Sequence, residues 1–133
     1  MSKIVNFSEA SSLAIHAVVL IAQADGKPVN VNTISEATGS SRNHLAKVMQ
    51  RVVKQGIVQS MRGPSGGFIM NIDADKVSLY DVYECIDGPI ITEECPLGRP
   101  ICPFEKCIMG GIIHKLTNEM KTYLKESTIS KFL

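Results

Sequence analysis

A mainly α-helical chain with one small β-hairpin is the fold class this sequence predicts, and three patterns predict it. Apolar residues recur at helical spacing in segments before residue 56. A glycine- and proline-rich turn, "GPSGG", then separates two short β-prone runs. Last, Met109, Ile113, Leu116, Met120 and Tyr123 alternate spacings of four and three, the stripe of a coiled-coil-like helix. At 133 residues and 44% apolar, the chain suits one globular domain with an appended element.

Ser8 is placed to cap a first helix running to about Ala24, with Glu9 in its first turn beside the positive end of the dipole. Leu13, Ala17, Leu20, Ile21 and Ala24 share one face of it, and "ADGKP" breaks it. "VNVNTISEATG" reads as a short second helix capped by Asn30 or Asn32, with Thr33 and Glu36 at capping-box spacing and Gly39 ending it. The turn "GSS" leads into a third helix, where Leu45, Val48, Met49, Val52 and Val53 line one face and Gly56 is the stop. Its other face carries Arg42, Asn43, Lys47, Gln50, Arg51 and Lys54. "IVQSMRGPSGGFIM" is the hairpin, and a capped helix follows from Ser78 to about Ile86, ended by "DGP". Residues 88–107 hold four prolines and no periodicity, so they form a loop.

Charge is unevenly placed. Residues 1–70 carry seven Lys/Arg against three acids, and residues 71–133 carry seven against ten. The window from Arg42 to Arg62 holds five cations and no acid, which suits a polyanion. "SLAIHAVVLIAQA" resembles the apolar core of a signal peptide, but only Lys3 precedes it and Glu9 sits where a positive region belongs. It is too short to span a bilayer. A cytoplasmic protein with no membrane partner is expected, and there stable disulfides are rare, so free thiols point to metal or redox chemistry.

Two short helices, a tight turn and then a hairpin are the order of a winged helix-turn-helix, whose third helix enters the major groove of duplex DNA. Ser40, Ser41, Arg42, Asn43 and His44 would lie at the reading end of that helix. Arg pairs bidentately with guanine, Asn with adenine, and hydroxyls with phosphate or base. Lys47, Arg51 and Lys54 would supply charge to phosphates if they face the duplex. Arg62 and Ser65 sit among the glycines of the hairpin, a wing suited to the DNA backbone or minor groove. "GPSGG" itself lacks the lysine and the strand-to-helix setting of a phosphate-binding loop, so it reads as a turn.

Three of the four cysteines, Cys95, Cys102 and Cys107, lie in the proline-rich loop at C-x6-C-x4-C spacing. Zinc sites favour C-x2–4-C pairs and four ligands, and only the second gap fits. Iron–sulfur clusters accept thiolates from irregular loops. Direct thiol redox chemistry and zinc stay open on spacing alone. Cys85, on the short helix beside Val82 and Ile86, reads as a buried small hydrophobe. His16 reads as a packed histidine of the first helix, and His114, two helical turns past Cys107, is too far to share one metal easily.

"FSEASSLAIHAVVLIA", "VNTISEATGSSRNHLAKVMQRVVKQGIVQSMRGPSGGF" and "SLYDVYECIDGP" together resemble the Rrf2 family of bacterial transcription regulators, over essentially the whole chain. The resemblance implies a homodimeric winged-helix repressor with a dimerisation helix at its C-terminus. A DNA-binding domain would occupy residues 1–75, its first helix also packing at the dimer core, and the cysteine loop and dimerisation helix would occupy 76–133. It implies that Cys95, Cys102 and Cys107 hold an iron–sulfur cluster, of two-iron or four-iron type, that answers to nitric oxide, redox state or cluster supply. Relatives that ligate a histidine three residues past the last cysteine are not matched, because Gly110 stands there. Relatives that sense nitric oxide draw an acidic ligand from the start of the partner's first helix, and Glu9 occupies the matching place. Ala46 replaces an acidic residue common after the recognition-helix leucine, so base preference does not carry over, and Phe68 replaces a wing tyrosine. An enzyme is not expected: there is no nucleophile–base pair and no Rossmann fingerprint. A small iron–sulfur electron carrier would have no use for the basic helix.

Overall fold

Helix boundaries follow from the caps. The computed structural model describes residues 7–91, 103–106 and 108–133. Within them lie α1 (Glu9–Gln23), α2 (Val31–Thr38), α3 (Arg42–Lys54), α4 (Leu79–Asp87) and α5 (Ile112–Glu126), with β1 (Val58–Met61) and β2 (Gly67–Met70) between α3 and α4. Ser8 Oγ accepts from the Ser11 N–H at 3.1 Å, and Ser41 Oγ from the His44 N–H at 3.1 Å. Ser78 and Asp81 form a reciprocal capping box at 3.1 and 2.9 Å. For α2 the cap is Asn30, which accepts from the Thr33 N–H at 2.8 Å. The Thr33–Glu36 box does not form, because Thr33 already lies inside the helix and gives its hydroxyl to Asn30. Each such cap stabilises its helix by about 0.5–2 kcal/mol.

The hairpin pairs Val58 with Met70 and Met61 with Gly67. It is joined by Val29, which exchanges both backbone hydrogen bonds with Phe68 at 3.0 and 2.8 Å. That third contact explains the second glycine of the pair in "GPSGG", and the hairpin's own turn explains the first. A Cβ on Gly67 would stand 2.5 Å from the Val29 carbonyl, and one on Gly66 would strike the Met61 carbonyl oxygen. The wing is therefore fastened to the connection between α1 and α2.

The core centres on α1. Its Ala14, Ala17 and Val18 are fully enclosed, and their small side chains let α3 and α4 close in on either side. Leu45, Met49 and Val52 of α3 and Val82 of α4 complete the centre. Burying each large apolar side chain is worth about 1.5–3 kcal/mol. A 3-10 turn at Ile129–Phe132, which the helical spacing does not reveal, brings the chain end back beside α4. There the Leu79 N–H donates to the Ser127 carbonyl and the Ile129 N–H to the Val77 carbonyl, both at 2.8 Å.

α5 begins at Ile112, not at Met109. Gly110 and Gly111 take positive φ of 61° and 70°, which stops a right-handed helix from extending back through them. Along the expected stripe, Ile113 and Met120 are half-buried while Leu116 and Tyr123 remain 43% and 57% exposed. One chain by itself does not cover that seam. Among the described residues no helix is long and apolar enough to cross a membrane.

Candidate nucleic-acid interface and its link to the cysteine loop

The turn between α2 and α3 is fixed by hydroxyls. Gly39 adopts the left-handed conformation at φ 73° and donates to the Ser35 carbonyl at 2.8 Å. Ser35 Oγ donates to the Ser40 carbonyl at 2.6 Å, and the Thr38 and Ser40 hydroxyls meet at 2.8 Å. Ser40 and Ser41 thus hold the turn and the start of α3. Beyond them Arg42, Asn43, His44 and Lys47 are exposed on the face opposite buried Leu45, Val48, Met49 and Val52. Arg42 Nη1 donates to Asn32 Oδ1 at 3.1 Å, so the amide that the sequence offered as a cap instead steadies this guanidinium. Arg62 and Ser65 are exposed at the tip of the wing. The structure places all eight predicted polar residues in the turn, the first two turns of α3 and the wing tip.

Arg51 behaves differently from the expectation that it faces a phosphate. Its Nη2 donates to the Ile86 carbonyl at 2.8 Å, at the C-terminal end of α4, where a guanidinium complements the negative end of the dipole. The next residue, Asp87, accepts from the Ser8 N–H at 3.1 Å, from Ser8 Oγ at 2.9 Å and from the hydroxyl of fully buried Ser11. Burial pushes the Asp87 carboxyl up, but the hydrogen bonds from Ser11 and Ser8, with the charge of Arg51, outweigh it and hold the group below its ordinary value. Gly88 then donates to the Glu84 carbonyl at 3.1 Å, and buried Ile90 donates its N–H to Tyr80 Oη at 3.1 Å. The cysteine loop therefore departs from a fixed base. Sequence reasoning passed over Asp87 and Tyr80; "IDG" at the end of a helix showed only the stop.

Cys95, Cys102 and Cys107 lie outside the described residues. Cys85 is only half-buried, because its helix face lies at the edge of the core. Its thiol donates to the Asp81 carbonyl at 3.2 Å, and burial, followed by the charges of Asp81 and Glu84, pushes it up to about 11. That is a thiol kept protonated, unsuited to ligation or attack. His16 is exposed rather than packed: it shares with Glu9 the side of α1 turned from the core, its Nδ1 2.6 Å from the Ser12 carbonyl. Both line a groove of about 750 Å³ with Val19, Leu20 and Tyr123. Glu9 is exposed and has no hydrogen bond or ion pair among the described residues. His114 Nδ1 is buried without a hydrogen-bond partner among them.

An exposed, capped, cation-bearing helix set behind a short helix and beside a hairpin defines a winged helix-turn-helix protein. Residues 7–133 match the Rrf2 family, described as an iron-dependent transcriptional regulator, and the chain belongs to that family. It is 30% identical over 122 residues to an HTH-type transcriptional regulator of Haemophilus influenzae, covering 90% of this chain and 81% of that one. Over 111 residues it is 27% identical to the HTH-type transcriptional regulator IscR of Escherichia coli, covering 83% and 68%. Among solved structures, CymR, the global cysteine regulator of Bacillus subtilis, superposes with a TM-score of 0.78 at 18% identity, over 95% and 94% of the two chains. IscR of T. potens gives 0.72 at 21% identity, over 95% and 84%. These relatives are transcriptional regulators that bind DNA, not enzymes.

Proposed function

We propose that this regulator is a homodimeric repressor that reads duplex DNA with α3 and the wing, and that Cys95, Cys102 and Cys107 make it a sensor. The observation that carries the DNA reading is the exposed, acid-free face of α3, projecting from a turn that five hydroxyl and amide groups lock in place. Arg42 and Asn43 offer the forked and amide donors that base edges accept, and Lys47 and Lys54 offer charge to phosphates. Arg62 and Ser65 meet the flanking backbone or minor groove. Residues 1–75 carry this work and residues 76–133 the sensing and the dimer, whose seam is the uncovered Leu116 and Tyr123 of α5. Two copies then address half-sites about one helical turn apart.

The donor set fits an iron–sulfur cluster, of two-iron or four-iron type. Three closely spaced thiols are soft ligands, and the family's description as iron-dependent supports iron over zinc. Three thiolates leave one position, for which Glu9 of the second copy is the candidate, since it is exposed and unengaged among the described residues. A cluster held by these thiolates, with the carboxylate of Glu9 as its weaker donor, would supply a redox-active group able to react with nitric oxide, oxygen or peroxide. The chain's own part is to hold the loop on the base formed by Asp87, Ile90 and Tyr80.

Anaerobic purification with an absorption spectrum and iron and sulfide analysis tests this. A brown protein is expected, bleached by Ala at Cys95, Cys102 or Cys107 but not at Cys85. Glu9→Ala should alter the spectrum and the reaction with nitric oxide while leaving the melting temperature of the cluster-free protein unchanged. A colourless protein holding zinc, or none, moves the function to the second reading: a zinc-dependent or direct thiol-redox regulator built on the same cysteines.

A further inference from the structure

Of the basic residues exposed along α3, Arg42 bonds the Asn32 side chain of α2, whereas Arg51 crosses to the backbone of α4. Its acceptor, the Ile86 carbonyl, lies in the last turn of α4, and that helix is held in two further directions. Through Asp87 it grips Ser8 and Ser11 at the start of α1, the turn that also carries Glu9. Through Tyr80 it grips Ile90, only three residues past Asp87, where the cysteine loop begins. The last turn of α4 is thus bonded to the DNA-facing helix and to the helix start that bears the proposed acidic ligand, and it runs on into the root of the loop, which the first turn of the same helix pins through Tyr80. The start of α3 is tied to α2 by the hydrogen bonds of its turn; beyond it, α3 is set by apolar contacts from Leu45, Val48, Met49 and Val52, which resist separation but carry no direction. A hydrogen bond from a guanidinium does carry direction, since it weakens steeply with misalignment.

We propose that Arg51 is a positioning strut rather than a phosphate ligand, transmitting the placement of the last turn of α4 to the recognition helix. The signal that moves this turn rests on the sensor reading above; the strut itself does not. A shift of the loop root or of the α1 start reorients α3 through Arg51, and the Arg42 and Asn43 contacts to base edges lose their geometry. Binding to nonspecific DNA, which needs only charge, stays as it was.

The test uses the full chain, first freed of metal and reduced, against a duplex selected by the protein from a random pool and against an unselected duplex, across a salt series. Arg51→Gln should weaken binding to the selected duplex about tenfold, within the range of coupled neighbours. It should leave the salt slope on the unselected duplex unchanged, and Arg51→Lys should not restore affinity. Asp87→Asn should give a similar loss, and the double variant should be no worse than either single one. Ser11→Ala replaces Asp87→Asn if the latter melts below the assay temperature. A slope reduced by about one, with rescue by Arg51→Lys, would make Arg51 a phosphate contact and overturn the proposal. Losses that multiply in the double variant, or no loss at all on the selected duplex, would reduce it to a helix cap. The metal-loaded protein supplies the second arm. If wild type binds equally well in both forms, the sensor reading fails and the metal-free cycle alone decides the strut. If wild type differs between forms, Arg51→Gln must shrink that difference to less than about twofold, and a difference left intact refutes transmission.

Discussion

The two ends of α3 carry similar cations in different employment. At its start, Arg42 and its neighbours Asn43 and His44 project outward from a turn locked by Ser35, Thr38 and Ser40. Two and a half turns on, Arg51 bends across to α4 and bonds a carbonyl. On a helical wheel the two arginines lie about 180° apart, on opposite flanks of the polar face. What separates them is the acceptor each flank meets: Arg51 reaches an otherwise unsatisfied backbone carbonyl in the last turn of α4, whereas Arg42 meets only the exposed side-chain amide of Asn32 on α2. Charge patterning identifies a face that is not core; it does not divide that face between ligand and structure.

Substitutions can sharpen this contrast. The largest effect is expected on the buried face, the reference against which both ends are judged: Met49→Ala should cost about 2–5 kcal/mol of stability in denaturant titration, because its site is fully enclosed. Arg42→Ala should cost about 1–3 kcal/mol of binding to a selected duplex and relax preference at one base position, with less than about 0.5 kcal/mol lost in stability. Lys47→Ala should weaken selected and unselected duplexes alike and lower the salt slope by about one, as read by anisotropy over a salt series. An Arg42→Ala protein that lost as much stability as affinity would erase the distinction between the two ends.

The smallest effect is on pH dependence. Asp87 is held below the ordinary value of 3.8 by its serine donors and Arg51, against the opposing effect of burial. Its contribution to stability is then full above the unfolded value and is lost as pH falls through the lower folded one. Melting temperatures should therefore drop more steeply below about pH 4 in wild type than in Asp87→Asn. Equal slopes would mean that the serine bonds do not favour the charged carboxylate.

The N-terminal half was legible because each of its elements announces itself locally. Ser8, Ser41 and Ser78 are cap residues followed by apolar residues at helical spacing, and Gly39 and Gly56 are stops with a conformational reason. The double glycine of the wing could be read as a turn, but the clash that Gly67 avoids, with Val29 more than thirty residues earlier, is tertiary and has no local trace. Spacing alone extends the stripe of the last helix back to Met109, through two glycines whose positive φ ends it. His16, expected to pack because its helix is largely apolar, is exposed because one side of α1 lines an open groove. Asp87 and Arg51 gain their roles only when α1, α3 and α4 meet, across separations of 79 and 35 residues.

Binding of the full chain to duplex DNA, selected and unselected, measured side by side for wild type and Arg42→Ala at one salt concentration, bears most directly on the proposal that the start of α3 reads sequence. Wild type should prefer its selected duplex by about a thousandfold or more, and Arg42→Ala should lose about tenfold or more of that preference while keeping its affinity for the unselected duplex within about twofold. Equal wild-type affinity for both duplexes, or an Arg42→Ala variant that weakens both by the same factor, would show that α3 supplies charge alone and reads nothing.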